Sequence, residues 1–196
     1  MFSLHQLASG ELIQLYEELL QELKQRGTVR SRNAPIADYA EWLVCHALEL
    51  ERMKPSEPFD ALDEKGKKYE IKARLLRRSP RSIALGQIRN LQVLDFLVAV
   101  VFQPDVSIRK AVVIPRAVVE KYAKYTEHTN SFRFSLRPEV ERHAGVRDIT
   151  DIVSETAGLL AERESWNRFS LRQAIKSDAL VETVPPVEES SEERVA

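Results

Sequence analysis

The sequence predicts one mixed domain of helices and strands, of the α/β or α+β class. Two N-terminal stretches have the apolar spacing of amphipathic helices, and a β-hairpin pattern follows them. Residues 96–102 then form a continuous apolar run, which is typical of a strand buried on both faces. A chain of 196 residues, 43% hydrophobic and 30% charged, suits one domain with or without a tail.

Two helices are predicted before the hairpin. Apolar residues recur every three or four positions over residues 9–25, and Gly27 ends this first helix. The second helix is predicted to begin near Asn33, a good N-cap residue, with Pro35 in its first turn. It is expected to end around Glu51.

The hairpin is predicted over residues 59–74, with Gly66 supplying the turn. A polar, basic loop (76–81) and a short helix or turn (85–94) are expected next. The later predicted elements are strand 96–102, strand 111–114 before Pro115, helix 116–125, strand 131–136 with an edge open to solvent, and helices 149–163 and 166–176. After Leu180 the chain has too few apolar residues to offset the entropy of ordering, which predicts a disordered tail.

The near-neutral net charge of −1 hides a basic middle and an acidic C-terminal end. Residues 65–89 contain a single acid, Glu70, among nine bases, which are Lys65, Lys67, Lys68, Lys72, Arg74, Arg77, Arg78, Arg81 and Arg89. A basic concentration of this kind is the electrostatic footprint of a phosphate-binding surface. The alternative is a solvated Lys/Arg face without a ligand.

The cysteine content and hydropathy indicate a cytoplasmic protein. The single Cys45 cannot form an internal disulfide, which fits a reducing compartment. The first twenty residues lack the pattern of a secretory signal, and no run approaches eighteen apolar residues, so neither secretion nor a membrane span is expected.

The hairpin brings together the residues that could carry chemistry. With residues 64–66 as the loop, Asp60 lies opposite Glu70, and opposed side chains approach within about 4.5–5.5 Å at Cβ. Two carboxylates at that distance can share a divalent cation. Lys72 projects from the same face as Glu70 because side chains alternate along a strand.

This set of residues suits phosphodiester hydrolysis. Mg²⁺ prefers carboxylate and water oxygens, neutralises a phosphate and lowers the pKa of an attacking water. A nearby lysine can orient the water and stabilise developing charge. Surrounding arginines and lysines hold the polyanion.

Asp60 is followed, after nine residues, by Glu70-Ile71-Lys72. This pattern resembles the acidic signature of the PD-(D/E)XK, or restriction-endonuclease-like, nuclease superfamily. The resemblance covers residues 33–115 and implies a restriction-endonuclease-like core, a central mixed sheet flanked by helices. Segments 69–74 and 85–91 also resemble an uncharacterised bacterial domain family.

The resemblance implies a site in which Asp60 and Glu70 bind Mg²⁺ or Mn²⁺ and Lys72 orients the water. Members often add a Glu from a preceding helix, and Glu41 is suitably placed for that role. The residues expected to contact nucleic acid, DNA rather than RNA, are Arg74, Arg77, Arg78, Arg81, Gln87 and Arg89. A homodimer or a larger complex is expected, since many enzymes that cut both strands are dimers.

The predicted elements and the resemblance together lead us to expect a division of the chain into four parts, although the resemblance itself leaves both ends unexplained. Residues 1–30 are the N-terminal helix, 31–137 the nuclease-like core, 138–179 C-terminal helices packing on that core, and 180–196 the acidic tail.

Each site residue has a plainer alternative. Glu70 and Lys72 can neutralise each other on an exposed strand face. Glu41 can be a solvated residue at the border of its helix, and Asp38 is a rival acid that suits the positive end of the helix dipole. At the level of function, the alternatives are a non-cleaving DNA-binding or interaction module of a defence or modification complex, and a protein-interaction partner whose acidic tail covers the basic face.

Overall fold

The chain adopts a mixed α+β fold in a computed structural model that describes residues 4–31, 34–78, 80 and 82–181, with side chains described as far as residue 165. The helices are α1 (Ser9–Gln25), α2 (Pro35–Ala47), α3 (Arg116–Tyr122), α4 (Pro138–Glu141) and α5 (Thr150–Val181). The strands are β1 (Glu51–Arg52), β2 (Ala61–Leu62), β3 (Lys68–Leu75), β4 (Ile83–Ile88), β5 (Phe96–Phe102), β6 (Ile108–Pro115), β7 (Lys124–Thr126), β8 (Ser131–Leu136) and β9 (Arg147–Asp148). Both sheets belong to the compact unit that ends at Ala157.

The main sheet has six strands in the order β1-β2-β3-β5-β6-β9. Strands β3 and β5 are parallel, and the other neighbours pair antiparallel. Residues 97–102 of β5 are all fully buried, which confirms the predicted strand with two covered faces. The Val-rich sequence of this strand suits a position between two partners, and its residues Leu97, Ala99 and Val101 belong to a core cluster that includes Leu85 and Phe134.

The predicted hairpin and its register are confirmed. Ala61 pairs with Tyr69 and Leu62 pairs with Lys68, the register that sets Asp60 beside Glu70. Gly66 has φ of +73°, a left-handed conformation that favours glycine in the tight turn. Strand β2 is only two residues long, so the antiparallel partner of β3 stops just short of Asp60.

The second sheet has three strands in the order β4-β8-β7 and corrects two predictions. Part of segment 85–94, predicted as a short helix or turn, belongs to strand β4, which spans Ile83–Ile88. The register shifts between Ala84 and Gly86, so buried Leu85 and Ile88 are three residues apart, a spacing that imitates a helix. Strand β8, predicted to have an open edge, is the central strand of this sheet.

Three helix boundaries also differ from the predictions. Helix α2 has Ala34 as its N-cap and ends at Ala47, because Glu49 turns into a left-handed conformation with φ of +54°. The predicted N-cap, Asn33, lies outside the described residues. Helix α3 ends at Tyr122, where the chain turns into β7.

One continuous helix, α5, replaces the two predicted C-terminal helices, and the predicted tail beyond residue 181 lies outside the described residues. The packing predicted for the helices of 138–179 stays a prediction for the part beyond Ala157. Within the range that the structure covers, no helix combines the length and the apolar character needed to cross a bilayer.

Candidate active site on the hairpin

Five of the residues singled out from the sequence line one open pocket of about 370 Å³. They are Asp60, Glu70, Lys72, Gln87 and Arg89. The loop before β2 and the residue after Arg89 complete the lining with Glu57, Pro58, Phe59 and Asn90. The pocket therefore combines an acid pair, a lysine and an arginine at the junction of β2, β3 and the end of β4.

Strand alternation on β3 explains why Glu70 and Lys72 face this pocket. Tyr69 and Ile71 are 7% and 5% exposed and belong to the core, whereas Glu70 and Lys72, which alternate with them, lie on the opposite face of the strand. The Tyr69 ring stacks on Phe96 of β5 with centroids 5.1 Å apart. These contacts fix which face of the strand packs on the core, and therefore which face carries the charged side chains.

Asp60 is held by the backbone of β3. Its carboxylate accepts a hydrogen bond of 2.6 Å from the Ile71 N–H, and its own N–H donates to the Tyr69 carbonyl at 2.9 Å. The pKa of Asp60 is raised to about 7, first by burial and second by the neighbouring charge of Glu70. The Ile71 hydrogen bond and the Lys72 ammonium oppose this rise, and the charge of Glu41 adds to it.

Lys72 and Glu70 form an ion pair, with Nζ 2.6 Å from Oε1 and both side chains partly buried. This contact is expected if Glu70 and Lys72 simply neutralise each other's charge on the strand face. It also keeps an ammonium group at the edge of the pocket that Asp60 lines. The pair alone therefore does not distinguish a salt bridge on a strand face from a catalytic lysine.

The fit of a divalent cation depends on two carboxylates. Among the described residues, no three His, Cys, Asp or Glu side chains are grouped so that they could hold a metal ion. Asp60 and Glu70 remain as a pair whose mutual repulsion a cation would relieve. Mg²⁺ is commonly bound by one or two carboxylates with water and phosphate oxygens as its other ligands, so the pair fits this ion.

Glu41 is engaged elsewhere. Its Oε2 lies 2.5 Å from the Arg30 guanidinium and 3.3 Å from that of Arg52. The two arginines fix it in a neighbouring pocket of about 220 Å³, which Asp60 and Glu57 also line. Glu41 thus lines a pocket together with Asp60, and its role as a metal ligand stays a prediction. Its carboxylate is not solvated, and it could take a metal ion only by losing these ion pairs.

The rival acid Asp38 has a structural role. Its carboxylate is buried and accepts the backbone N–H groups of Arg30 and Ser31 at 2.8 and 2.7 Å. These hydrogen bonds lower its pKa despite the burial that raises it. They fix the loop that carries Arg30, whose guanidinium contacts Glu41. The sequence predicted only an interaction of Asp38 with the helix dipole.

The predicted nucleic-acid contacts fall into two groups. Gln87 and Arg89 line the pocket of Asp60 and Glu70, which we call the acid pocket. Arg74, Arg77 and Arg78 line a larger neighbouring pocket of about 680 Å³. Arg74 follows Lys72 on the same face of β3, so the two pockets lie along one strand face. Arg81 lies outside the described residues.

The sequence reasoning missed the residues that surround Asp60 from the N-terminal side. Glu57 lines the pocket of Asp60 and Glu70 and also the pocket of Glu41. Arg30 and Arg52 lie on either side of the Glu41 carboxylate. A signal for Glu57 was present, since it belongs to the short segment that leads into Asp60. Nothing in the spacing of Arg30 and Arg52 indicated that both would reach one carboxylate on α2.

A scan of the sequence against protein-family models gives no match, and a search of curated proteins finds no significant relative.

Proposed function

We propose that this protein is a Mg²⁺-dependent nuclease that hydrolyses phosphodiester bonds in nucleic acid, with DNA as the favoured substrate. The observation that carries the proposal is one pocket lined by Asp60, Glu70, Lys72 and Arg89. An acid pair can hold a cation, an ammonium can stabilise the reacting groups, and a guanidinium can bind phosphate.

A restriction-endonuclease-like core is part of the proposal. Supporting it, α2 precedes an aspartate at β2, an E-x-K triplet on β3, and the parallel neighbour β5. One element differs from that order, because strand β4 and a turn occupy the place of the helix between the E-x-K strand and the next strand. We extend the proposal to a cytoplasmic protein that acts as a homodimer or within a larger complex.

In this mechanism Asp60 and Glu70 would hold the cation and Lys72 would position the attacking water. A bound Mg²⁺ would supply charge neutralisation at the phosphate and a lower pKa for the water. Asp60 must be ionised to act as a ligand, so its raised pKa of about 7 favours activity at neutral to alkaline pH. Lys72 must leave Glu70 at least in part to reach the water, because the two are paired in the free protein.

The test is cleavage of labelled DNA by the full chain in Mg²⁺ or Mn²⁺, compared across matched variants. Glu70→Gln and Lys72→Ala should each lower the rate by about a hundredfold or more. The chain offers a matched control, because Glu22-Leu23-Lys24 on α1 is the same triplet away from the pocket. Activity that is equal in Lys72→Ala and Lys24→Ala would refute the proposal.

A second candidate function is a binding module that does not cleave. The closed Lys72–Glu70 ion pair and the two arginines on Glu41 favour it. Its signature is DNA binding without added metal and no cleavage with Mg²⁺ or Mn²⁺. In that case Glu70→Gln should strengthen DNA binding, because it removes a negative charge from the binding surface.

A further inference from the structure

A row of three exposed polar residues crosses the second sheet. Gln87 on β4 pairs with Arg133 on β8, and Arg133 pairs with Lys124 on β7. Each of the three is exposed to solvent. Neighbouring strands lie about 4.8 Å apart, so the row extends about 10 Å from the edge of the acid pocket, which Gln87 lines.

The solvent-exposed face of the second sheet, which carries this row, is called the outer face. A β-bulge directs Gln87 to it. The register shifts between Ala84 and Gly86, and Gly86 has φ of +95°. Strict alternation after buried Ile83 and Leu85 would turn residue 87 inward, but the bulge buries Ile88 and exposes Gln87. The bulge therefore connects the outer face of the second sheet with the acid pocket.

The outer face is basic and carries no acid. Strands β4, β7 and β8 are described in full and contain no Asp or Glu; the nearest acid along the chain, Glu127, begins the turn after β7. Within the described part of the chain, neither Lys124 nor Arg133 has an ion-pair partner. Like charges directly opposite each other destabilise a strand pair, and a polyanion bound across them would remove that cost.

The side chains around the row favour a duplex rather than a single strand. Ala84, Gly86 and Ser135 are small, so a phosphate backbone could approach the sheet closely. The aromatic residues Phe132 and Phe134 alternate onto the opposite face, and Tyr125 packs on Phe132 with ring centroids 5.2 Å apart. Proteins that bind single strands stack bases on exposed aromatic rings, and this basic face presents none.

We infer that the outer face of the three-stranded sheet binds the phosphate backbone of double-stranded nucleic acid through Lys124 and Arg133, and that Gln87 leads the duplex into the acid pocket. The inference rests on the proposed function. It adds a contact surface outside the basic segment 65–89 and assigns a duplex as the substrate. The surface binds by charge and shape, because phosphate contacts position a duplex without reading its sequence.

The test measures binding of a labelled 20-base-pair DNA duplex, and of one of its strands alone, at several salt concentrations in EDTA. The slope of the logarithm of the duplex association constant against the logarithm of salt concentration is negative. In the double variant Lys124→Gln/Arg133→Gln it should become less steep by about 1.8, since each lost phosphate contact removes about 0.9. Over the decade from 1 M to 0.1 M salt this change in slope corresponds to a factor of about sixty, so the duplex affinity of the variant should be about sixtyfold lower at 0.1 M salt. The control Lys24→Gln/Arg142→Gln loses the same charge outside the sheet and should keep the slope.

Two further measurements keep the outcomes distinct. Arg133→Lys retains the charge and should retain the slope, and the circular dichroism spectrum of each variant should match that of the wild type. An unchanged duplex slope in the double variant, an equal loss on the single strand, or no duplex binding by the wild type would each overturn the inference. Metal-dependent hydrolysis of bis(p-nitrophenyl) phosphate, too small to need a docking surface, tests the proposed chemistry separately.

Discussion

The Asp60 carboxylate accepts the Ile71 N–H at 2.6 Å, in the position where a longer β2 would supply a backbone carbonyl to β3. The carboxylate thus completes the edge of the strand while it lies beside Glu70. This arrangement ties a partly buried acid to the sheet and leaves it poorly stabilised in its charged form. Buried like charges at one site are typical of functional clusters, where stability is lower than the fold could reach.

Asp60→Asn should stabilise the free protein above pH 7. The pKa of Asp60 is about 7 when folded and near 3.8 when unfolded, so the folded state holds the proton more tightly. Its contribution to stability is complete below the unfolded pKa and is lost as the pH rises through about 7. Asparagine cannot ionise and still accepts the Ile71 N–H, so we expect a gain of about 1–3 kcal/mol at pH 8.5 and little gain at pH 4.

Urea unfolding in EDTA at both pH values measures this change. Glu70→Gln serves as the companion variant, because it removes the second cause of the raised pKa and should lessen the fall in stability between pH 4 and 8.5. A loss of stability in Asp60→Asn at pH 8.5 would show that the charged carboxylate is needed by the fold itself.

Mn²⁺ should raise the melting temperature of the wild type more at pH 8 than at pH 5.5. A cation competes with the proton on Asp60, so its affinity should increase as the pH passes about 7. At a hundred times its dissociation constant, a ligand stabilises the folded state by about 2.7 kcal/mol. Differential scanning calorimetry with and without the ion measures the shift, and the double variant Asp60→Asn/Glu70→Gln should show none.

Glu41→Ala should destabilise the fold and leave the affinity for Mn²⁺ nearly unchanged. The carboxylate lies between Arg30 and Arg52, so its removal leaves two partly buried guanidinium groups without their ion-pair partner. The expected cost is about 2–3 kcal/mol, somewhat below the range for a fully buried pair. Chemical denaturation and titration calorimetry measure the two properties; a loss of Mn²⁺ affinity without a loss of stability would instead make Glu41 a metal ligand.

The sequence predicted the hairpin well because local chemistry determines it. Gly66 adopts the left-handed turn, and the alternation from Tyr69 to Lys72 sets the register within one strand pair. The placement of Asp60 beside Glu70 follows from these features alone. The partners of Glu41 could not be predicted in this way, because Arg30 and Arg52 reach it from separate segments through tertiary packing.

Strand β4 shows why pattern reading fails where a sheet is irregular. Its buried residues Ile83, Leu85 and Ile88 mix spacings of two and three, which matches neither a regular strand nor a helix. Only the pairing with β8 reveals the bulge at Gly86. The same irregularity separates Gln87 from the core, so the misread element is also the one that joins the second sheet to the acid pocket.

Gly86→Ala should therefore cost stability and function together. Its φ of +95° is strained for any residue with a Cβ, although no atom lies within 4 Å of where that Cβ would be. The expected loss is about 1–3 kcal/mol from backbone strain alone. Relief of the strain by a regular strand would turn Gln87 inward, so duplex affinity should fall as well.

Gly158→Ala is the matched control. The same substitution within helix α5, with no neighbour within 4 Å of the added Cβ, should stabilise the fold by about 0.5–1 kcal/mol. Thermal unfolding and duplex binding of the two variants decide the point, and equal behaviour would show that the bulge is not required.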